Sequence, residues 1–527
     1  MYFVVTATDY PDAQERRAAS RPEHLDGLAA MRARGEFIGG GAVTDASGRV
    51  TGSSAQVRFA DEAGVRAWLE IEPYMTTRVW EHVAIEELRL LDTTEASLGR
   101  AVVTAVRVTP VLIADGPLLN MQGVHQPYTP RTIVEVETAD GTIGLGESYG
   151  DDDYLGVFTA FARHLVGETV LSPNRLARLA EEHITAATVP PSLVDNKPSH
   201  NVFGDNSLHK LRATVISLFE VAFLDAAGHV LGVPVHQLLG GKVRDRIDFA
   251  AYLFYRWAEH PVTGAPDDHW GEALDPAGIV AQAQRMIDLH GFRSLKLKGG
   301  VFPPDEEIAA VRALAEAFPG VPVRLDPNGA WSEATSIRVA EELTGIIEYL
   351  EDPCVGRAPM GRVHAATGMP LATNMCVTRM DEIPEAVALD AVQVLLTDHH
   401  YWGGLRATQK LSAICSTFGM SLSMHSNSHL GISLAAMIQA AACVEGSLHP
   451  CDTHRPWQTD DVITTPHTFT DGAIAVSDSP GLGIELDRDA LARLHTRWLE
   501  SDVRRRDDVA AMQVRYPDFV QPPVPHW

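Results

Sequence analysis

The stretch that decides the fold runs from RSLKLK (293–298) through PVRLD (322–326), IIEYLE (346–351), MPLATN (369–374) and AVQVLLTD (391–398) to MSLSMH (420–425). Each run is short and apolar, and each ends on a polar residue: Lys298, Asp326, Glu351, Asn374, Asp398 and His425. The successive ends lie 28, 25, 23, 24 and 27 residues apart, and most gaps hold an amphipathic helical pattern, such as DEEIAAVRALAEAF (305–318) or ATSIRVAEELTG (334–345). That is the repeat of a βα unit. Strands covered by helices on both faces read as continuous apolar runs, and a barrel closed from them collects its reactive groups at the C-terminal strand ends. One active site built from six strand ends is therefore expected.

Working outward, a first barrel strand is expected at IDFAAYLFY (247–255), a helix over 276–290 and a last strand near SLHPCD (447–452), so that the barrel occupies 241–479. Upstream, 100–240 reads as three antiparallel strands (102–113, 131–140, 141–150) followed by helices near 153–186 and 209–231. A meander followed by helices is an α+β domain. The segment from about 480 to 527, helical around 488–513, is expected to complete it, and its tail is placed to return over the barrel mouth. Between the first two strands of this cap lies LNMQGVHQPYTP (119–130), a loop carrying His125 and of the kind that closes over a substrate. Residues 1–93 follow the order βαββαβ of a ferredoxin-like α+β fold, and 93–99 (TTEASLG) forms a polar linker.

With 43 basic and 69 acidic residues the formal charge is −26, which repels phosphate backbones and anionic lipid heads. Nucleic acid and membrane are poor partners for such a chain. No long uninterrupted apolar span is expected, nor a basic leader ahead of YFVVTAT. The five cysteines are odd in number and lack C-x-x-C spacing, which argues against a disulfide framework and fits the reducing cytosol.

Lys296 and Lys298 alternate with leucines and so point the same way, into the barrel. Two neighbouring ammoniums lower one amine's pKa and make it a usable base, although a K-x-K pair alone also describes two surface lysines. Asp326, Glu351 and Asn374 offer three oxygen donors with two negative charges, the ligand chemistry of Mg²⁺. Asp352 is an alternative to Glu351, but the two face opposite ways. Asp398 and His425 end adjacent strands, where the carboxylate would orient the imidazole and raise its pKa. His399 and His400 read as loop histidines without a role. Asn328 and Asn427, two residues beyond Asp326 and His425, are within reach as hydrogen-bond donors. Such a set suits abstraction of a proton α to a carboxylate, with Lys298 and His425 as bases on opposite sides and the developing charge stabilised electrostatically.

Residues 100–527 resemble the enolase superfamily, and within it the glucarate dehydratase family, at LLNMQGVHQPYTPRTIV, LDAAGHVLGVPVHQLLGG, AAYLFY, FRSLKLKGGV, RLDPNGAW, YLEDPC, LATNM, HSNSHLGISLA, DTHRPWQ, PGLGIELD and RRDDVAAMQ. The resemblance implies a modified TIM-type (β/α)7β barrel with an α+β cap. It also implies Mg²⁺-dependent dehydration of D-glucarate or L-idarate to 5-keto-4-deoxyglucarate. By position it makes Lys298 and His425 the bases, Lys296 the stabiliser of the enolate, and Asp398 the partner of His425, with Asn328 and Asn427 assisting. Asp326, Glu351 and Asn374 would bind the metal, and His125, Tyr252, His454 and Arg506 would hold the distal end of the acid sugar. The loop PCVGRAPMG (353–361) is shorter and less acidic than the family's, which leaves open another acid-sugar dehydratase or epimerase, or a catalytically weak paralogue. Residues 1–93 resemble the YciI-like family at RPEHLDGL and EPYMTTRVWEHV, with His24 on its characteristic histidine but Ala33 or Arg34 where an acid is usual. That resemblance points to an oligomerisation or accessory module, and a homo-oligomer is the expected assembly.

Overall fold

The computed structural model describes residues 1–88, 99–195, 206–262 and 264–527. The chain divides into two compact units, Met1–Ser97 and Leu98–Trp527. In the first, β1 (Tyr2–Asp9), β2 (Phe37–Thr44), β3 (Val50–Arg58) and β4 (Trp80–Leu88) form an antiparallel sheet in the order β2-β3-β1-β4, with helices at Gln14–Ala33, Glu62–Ile71 and Pro73–Thr76. Alternation along β1 buries Phe3, Val5 and Ala7 on the helix side, where they meet Val57, Val65, Trp68, Tyr74 and Trp80. The expected ferredoxin-like order is the observed one. Residues 93–98 of the expected linker lie outside the described residues.

The second unit opens with the antiparallel strands β5 (Val103–Ala114), β8 (Tyr128–Thr138) and β9 (Ile143–Tyr149). The His125 loop is pinned as a small hairpin of β6 (Leu119–Asn120) and β7 (Gly123–Val124). The helix Leu208–Leu231 lies on this sheet, and two glycines let it come close. A Cβ on Gly144 would run into the Ala222 carbonyl oxygen and stand 2.6 Å from the Ala226 nitrogen, while one on Gly146 would meet the Leu218 oxygen at 2.5 Å. Gly144→Ala is expected to cost about 1–3 kcal/mol, the usual range for forcing a methyl into a packed contact. A urea midpoint unchanged from the parent would contradict this packing. The same helix has the length and mean hydropathy of a membrane span, but Glu220 and Asp225 interrupt its apolar run and 78% of its apolar window is buried within the protein itself.

After β10 (Arg246–Asp248) come seven parallel strands in sequential order: β11 (Ala251–Phe254), β12 (Leu295–Lys298), β13 (Val323–Asp326), β14 (Tyr349–Glu351), β15 (Leu371–Thr373), β16 (Val394–Thr397) and β17 (Ser421–Met424). The expected first strand is thus broken into β10 and β11. The ring is closed by single parallel bridges, Leu422 to Leu448 and Phe249 to Cys451. SLHPCD therefore fills the eighth place without forming a full strand. Helices Pro276–His290, Pro304–Ala317 and Glu333–Leu343 coat the outside, two of them started by side-chain caps from Asp275 to Gly278 N (2.7 Å) and from Ser332 to Thr335 N (3.2 Å). β18 (Ala473–Ala475) pairs antiparallel with β10.

The C-terminal segment is broken into helices Arg488–Glu500 and Asp508–Arg515. The first bonds β5, His495 Nδ1 to the Pro110 carbonyl at 2.7 Å, and the second packs on β7. The last residues return to the end of β13, where Ser332 N donates to the Trp527 carbonyl (2.6 Å) and Trp527 N to the Ala330 carbonyl (3.0 Å).

Candidate active site

All six polar residues at the ends of the runs sit where the strands stop. Lys298, Asp326 and Glu351 are the last residues of β12, β13 and β14, and Asn374, Asp398 and His425 each follow directly on β15, β16 and β17. They are buried, with Asp326, Glu351 and Asn374 fully so. A cavity of about 380 Å³ opens above them, and Lys298, Asn328, His425, His125, Tyr252, Asn427, His454 and Arg506 line it. Lys296, Asp326, Glu351, Asn374 and Asp398 are fully buried and do not line it.

Lys298 Nζ donates to Asp326 Oδ2 (2.7 Å) and Asn328 Oδ1 (2.9 Å). Lys296 Nζ donates to Glu351 Oε1 (2.8 Å) and Asp452 Oδ2 (2.6 Å), and stands 3.5 Å from Asp326 Oδ2. Tyr252 Oη donates to Asp326 Oδ2 at 3.2 Å. Burial pulls the Lys296 pKa down, but Asp452 and Glu351 outweigh it and hold the ammonium well above the usual lysine value. Lys296 is therefore not the amine that the K-x-K pair would depress, because acids from the facing strand ends surround it. Asp452 was not singled out in the sequence, yet it ends SLHPCD 27 residues after His425 and obeys the same rule as the other six.

Three carboxylates, Asp326, Glu351 and Asp452, face only two ammoniums here. Burial and the neighbouring Asp326 push the Glu351 carboxyl well above its usual range. The side-chain amide of Asn374 is buried, and neither its oxygen nor its nitrogen has a hydrogen-bond partner among the described residues. A buried, unpaired amide costs about 1–3 kcal/mol, so such a group calls for a partner. Excess negative charge, an orphaned amide oxygen and an all-oxygen donor set fit a hard divalent cation held by Asp326, Glu351 and Asn374. Asp352 is engaged elsewhere, accepting from Thr373 Oγ1 (2.5 Å) and Asn374 N (2.8 Å).

His425 Nδ1 lies 2.9 Å from Asp398 Oδ2. Burial lowers the imidazole below the usual histidine value and outweighs the opposing pull of Asp398, so the expected upward shift is reversed. Across the mouth, Arg506 is clamped by Asp508 through Nε (2.9 Å) and Nη2 (2.7 Å), while Nη1 reaches Asn427 Oδ1 at 3.2 Å. His125 Nδ1 lies 3.2 Å from Asp115 Oδ2, and His454 Nδ1 lies 3.3 Å from Ser426 Oγ.

Residues 278–490 match the model of the enolase C-terminal domain-like family, and residues 1–89 match the YCII-related domain. A probable glucarate dehydratase of Streptomyces coelicolor is 59% identical over 428 residues, covering 81% of this chain and 99% of that protein. The chain belongs to the enolase superfamily. An enolase-superfamily structure from Thermobispora bispora, complexed with magnesium and formate, is 50% identical with a TM-score of 0.77, over 81% of this chain and all of that one. Another from Pseudomonas fluorescens, with bound magnesium, potassium and tartrate, is 47% identical with a TM-score of 0.77, over 81% and 99%.

In this enolase-superfamily enzyme, His399 and His400 are not loop residues. They begin the short helix His399–Trp402, which Asp398 caps, and both are buried. His400 Nδ1 lies 2.8 Å from Asp398 Oδ1, so each oxygen of Asp398 holds one imidazole. On its other side His400 Nε2 meets Ser433 Oγ (2.9 Å) and Arg131 Nη2 (3.4 Å). Asp398, His400 and His429 lie close enough together to share a cation, but this hydrogen bonding already occupies the carboxylate.

Proposed function

We propose that the barrel mouth dehydrates an aldarate of the D-glucarate/L-idarate type to 5-keto-4-deoxyglucarate, which makes the chain a hydro-lyase. The observation that carries this reading is the placement of Lys298 and His425 on strands separated by four others, both lining one cavity over an oxygen-ligand cluster. Lys298 and His425 take or return the proton α to the carboxylate from opposite faces, so either configuration at that carbon is served. Asp398 orients the His425 ring, and the imidazole exchanges the proton and protonates the departing hydroxide. Lys296 stays charged and stabilises the developing enolate charge. Arg506, His125, His454, Tyr252 and Asn427 bind the distal carboxylate and hydroxyls. Mg²⁺, held by Asp326, Glu351 and Asn374, supplies positive charge that makes the α-proton more acidic. Residues 100–240 with 480–527 serve as the cap over a catalytic barrel of 241–479. Five free, mostly buried cysteines support a cytosolic setting.

Incubation of aldaric acids with Mg²⁺ should release a semicarbazide-reactive keto acid from D-glucarate. Inversion without keto product would instead support an epimerase, and metal binding without turnover a paralogue that has lost its activity.

The depressed His425 pKa sets the sign of the pH dependence. A base must be neutral, so its share of kcat/KM is retained as pH falls through neutrality and is lost only below the usual histidine range near 6.5. A pH profile whose acid limb lies above about 7 would contradict this assignment.

A further inference from the structure

The N-terminal YCII-related unit contains a second cavity, of about 340 Å³, wholly within itself. One face of the helix Gln14–Ala33 forms a wall, because Arg17, Arg21, His24, Leu28 and Arg32 recur at helical spacing along it. The opposite wall is the β2–β3 pair, where Gly40 and Gly41 contribute no side chain, and Trp68, Tyr74 and Trp80 supply aromatic surface. In a chain of charge −26, the described residues of this lining include three arginines and a histidine and no acidic residue.

Two of its polar groups are fixed in place. Arg17 grips both oxygens of Asp9 at 2.7 Å and bonds Ser53 Oγ at 2.6 Å. His24 stacks on Tyr74 with 3.9 Å between ring centres, and its Nδ1 lies 2.6 Å from Oε1 of Glu72, a carboxylate only 2% exposed. Glu72 stands between two helices, far in sequence from Ala33 and Arg34, the positions where an acid is usual in YciI-like sequences. With Nδ1 engaged, Nε2 is the ring nitrogen left to meet a ligand. Arg21 and Arg32 are exposed on the same helix face, with no carboxylate within ion-pairing distance among the described residues.

The geometry points to a binding site in this unit for a small organic carboxylate with a flat apolar body, separate from the barrel. Arg21, one turn from His24, meets the carboxylate, and Arg32, about 16 Å further along the helix, adds positive charge at the far end of the cavity; His24 contacts a polar edge, and Leu28, Trp68 and Trp80 cover the apolar part. Guanidinium groups suit planar carboxylates, and aromatic walls favour an unsaturated ring over a polyol. The ligand therefore differs in kind from an acid sugar.

Calorimetric titration of the full-length protein with benzoate, and with benzamide as its neutral counterpart, tests this. One benzoate should bind per chain, at least tenfold more tightly than benzamide. The double variant Arg21→Gln/Arg32→Gln, altered only at exposed positions, should lose at least tenfold in benzoate affinity, while the barrel variant Lys298→Met should bind as the parent does. Absence of benzoate binding into the millimolar range, equal binding of benzamide, indifference to the arginine pair, or loss in the barrel variant would each overturn the proposal. None of these outcomes depends on the barrel's activity.

Discussion

Lys298→Met is expected to lower kcat/KM by about 10²–10⁴-fold, the range associated with loss of a positioned general base, and His425→Asn is expected to do the same. The informative quantity is how the two losses divide between substrates. D-glucarate and L-idarate present the reacting proton in opposite configurations, and Lys298 and His425 reach the cavity from the ends of strands β12 and β17. Each variant should therefore lose α-proton exchange more severely with one epimer, and the two should fail on different ones. Both groups are deeply buried, Lys298 against Asp326 and Asn328 and His425 against Asp398, so folding must be checked by near-ultraviolet circular dichroism. A misfolded variant fails on both epimers alike. Equal loss on both epimers with folding intact would show that the two groups do not divide the faces of the carbon.

The second large effect concerns Asn374. Leucine has nearly its shape and no polar atoms, and removing a buried amide without partners relieves a penalty of about 1–3 kcal/mol. Asn374→Leu should accordingly unfold at or above the parental midpoint in the absence of Mg²⁺. The parent should gain about 2.7 kcal/mol at a hundredfold excess of Mg²⁺ over its dissociation constant, and the variant should gain far less. Thermal or urea unfolding with and without the metal reads both effects. A variant that is destabilised without metal, or that keeps the full Mg²⁺ response, would remove Asn374 from the ligand set.

Much of this site could be read from the sequence because a parallel barrel turns chain order into spatial order. Apolar runs of four to eight residues fix where each strand ends, and the residue at that end has only the mouth to face. The same rule extended to SLHPCD would have found Asp452, but the two bridges that close the ring there are too short to leave a strand signature. Charge states were less legible. Whether Lys296 is depressed or held charged depends on Glu351 and Asp452, which lie 55 and 156 residues away and meet it only once the ring closes. His400 was missed because a histidine just past a strand looks like any loop residue until Asp398 caps a helix there and turns the ring inward. The consecutive Arg504, Arg505 and Arg506 cannot be separated by periodicity either. In the fold Arg504 bonds the Trp498 carbonyl, whereas Arg506 is clamped by Asp508 at the cavity.

The most direct test of the central claim is a crystal structure of the full chain grown with Mg²⁺ and tartrate. One ion should appear about 2.0–2.1 Å from a carboxylate oxygen of Asp326, a carboxylate oxygen of Glu351 and the amide oxygen of Asn374, with tartrate between Lys298 and His425. An ion seated instead on Asp398, His400 and His429, or one that Asp326 and Glu351 do not share, would contradict it.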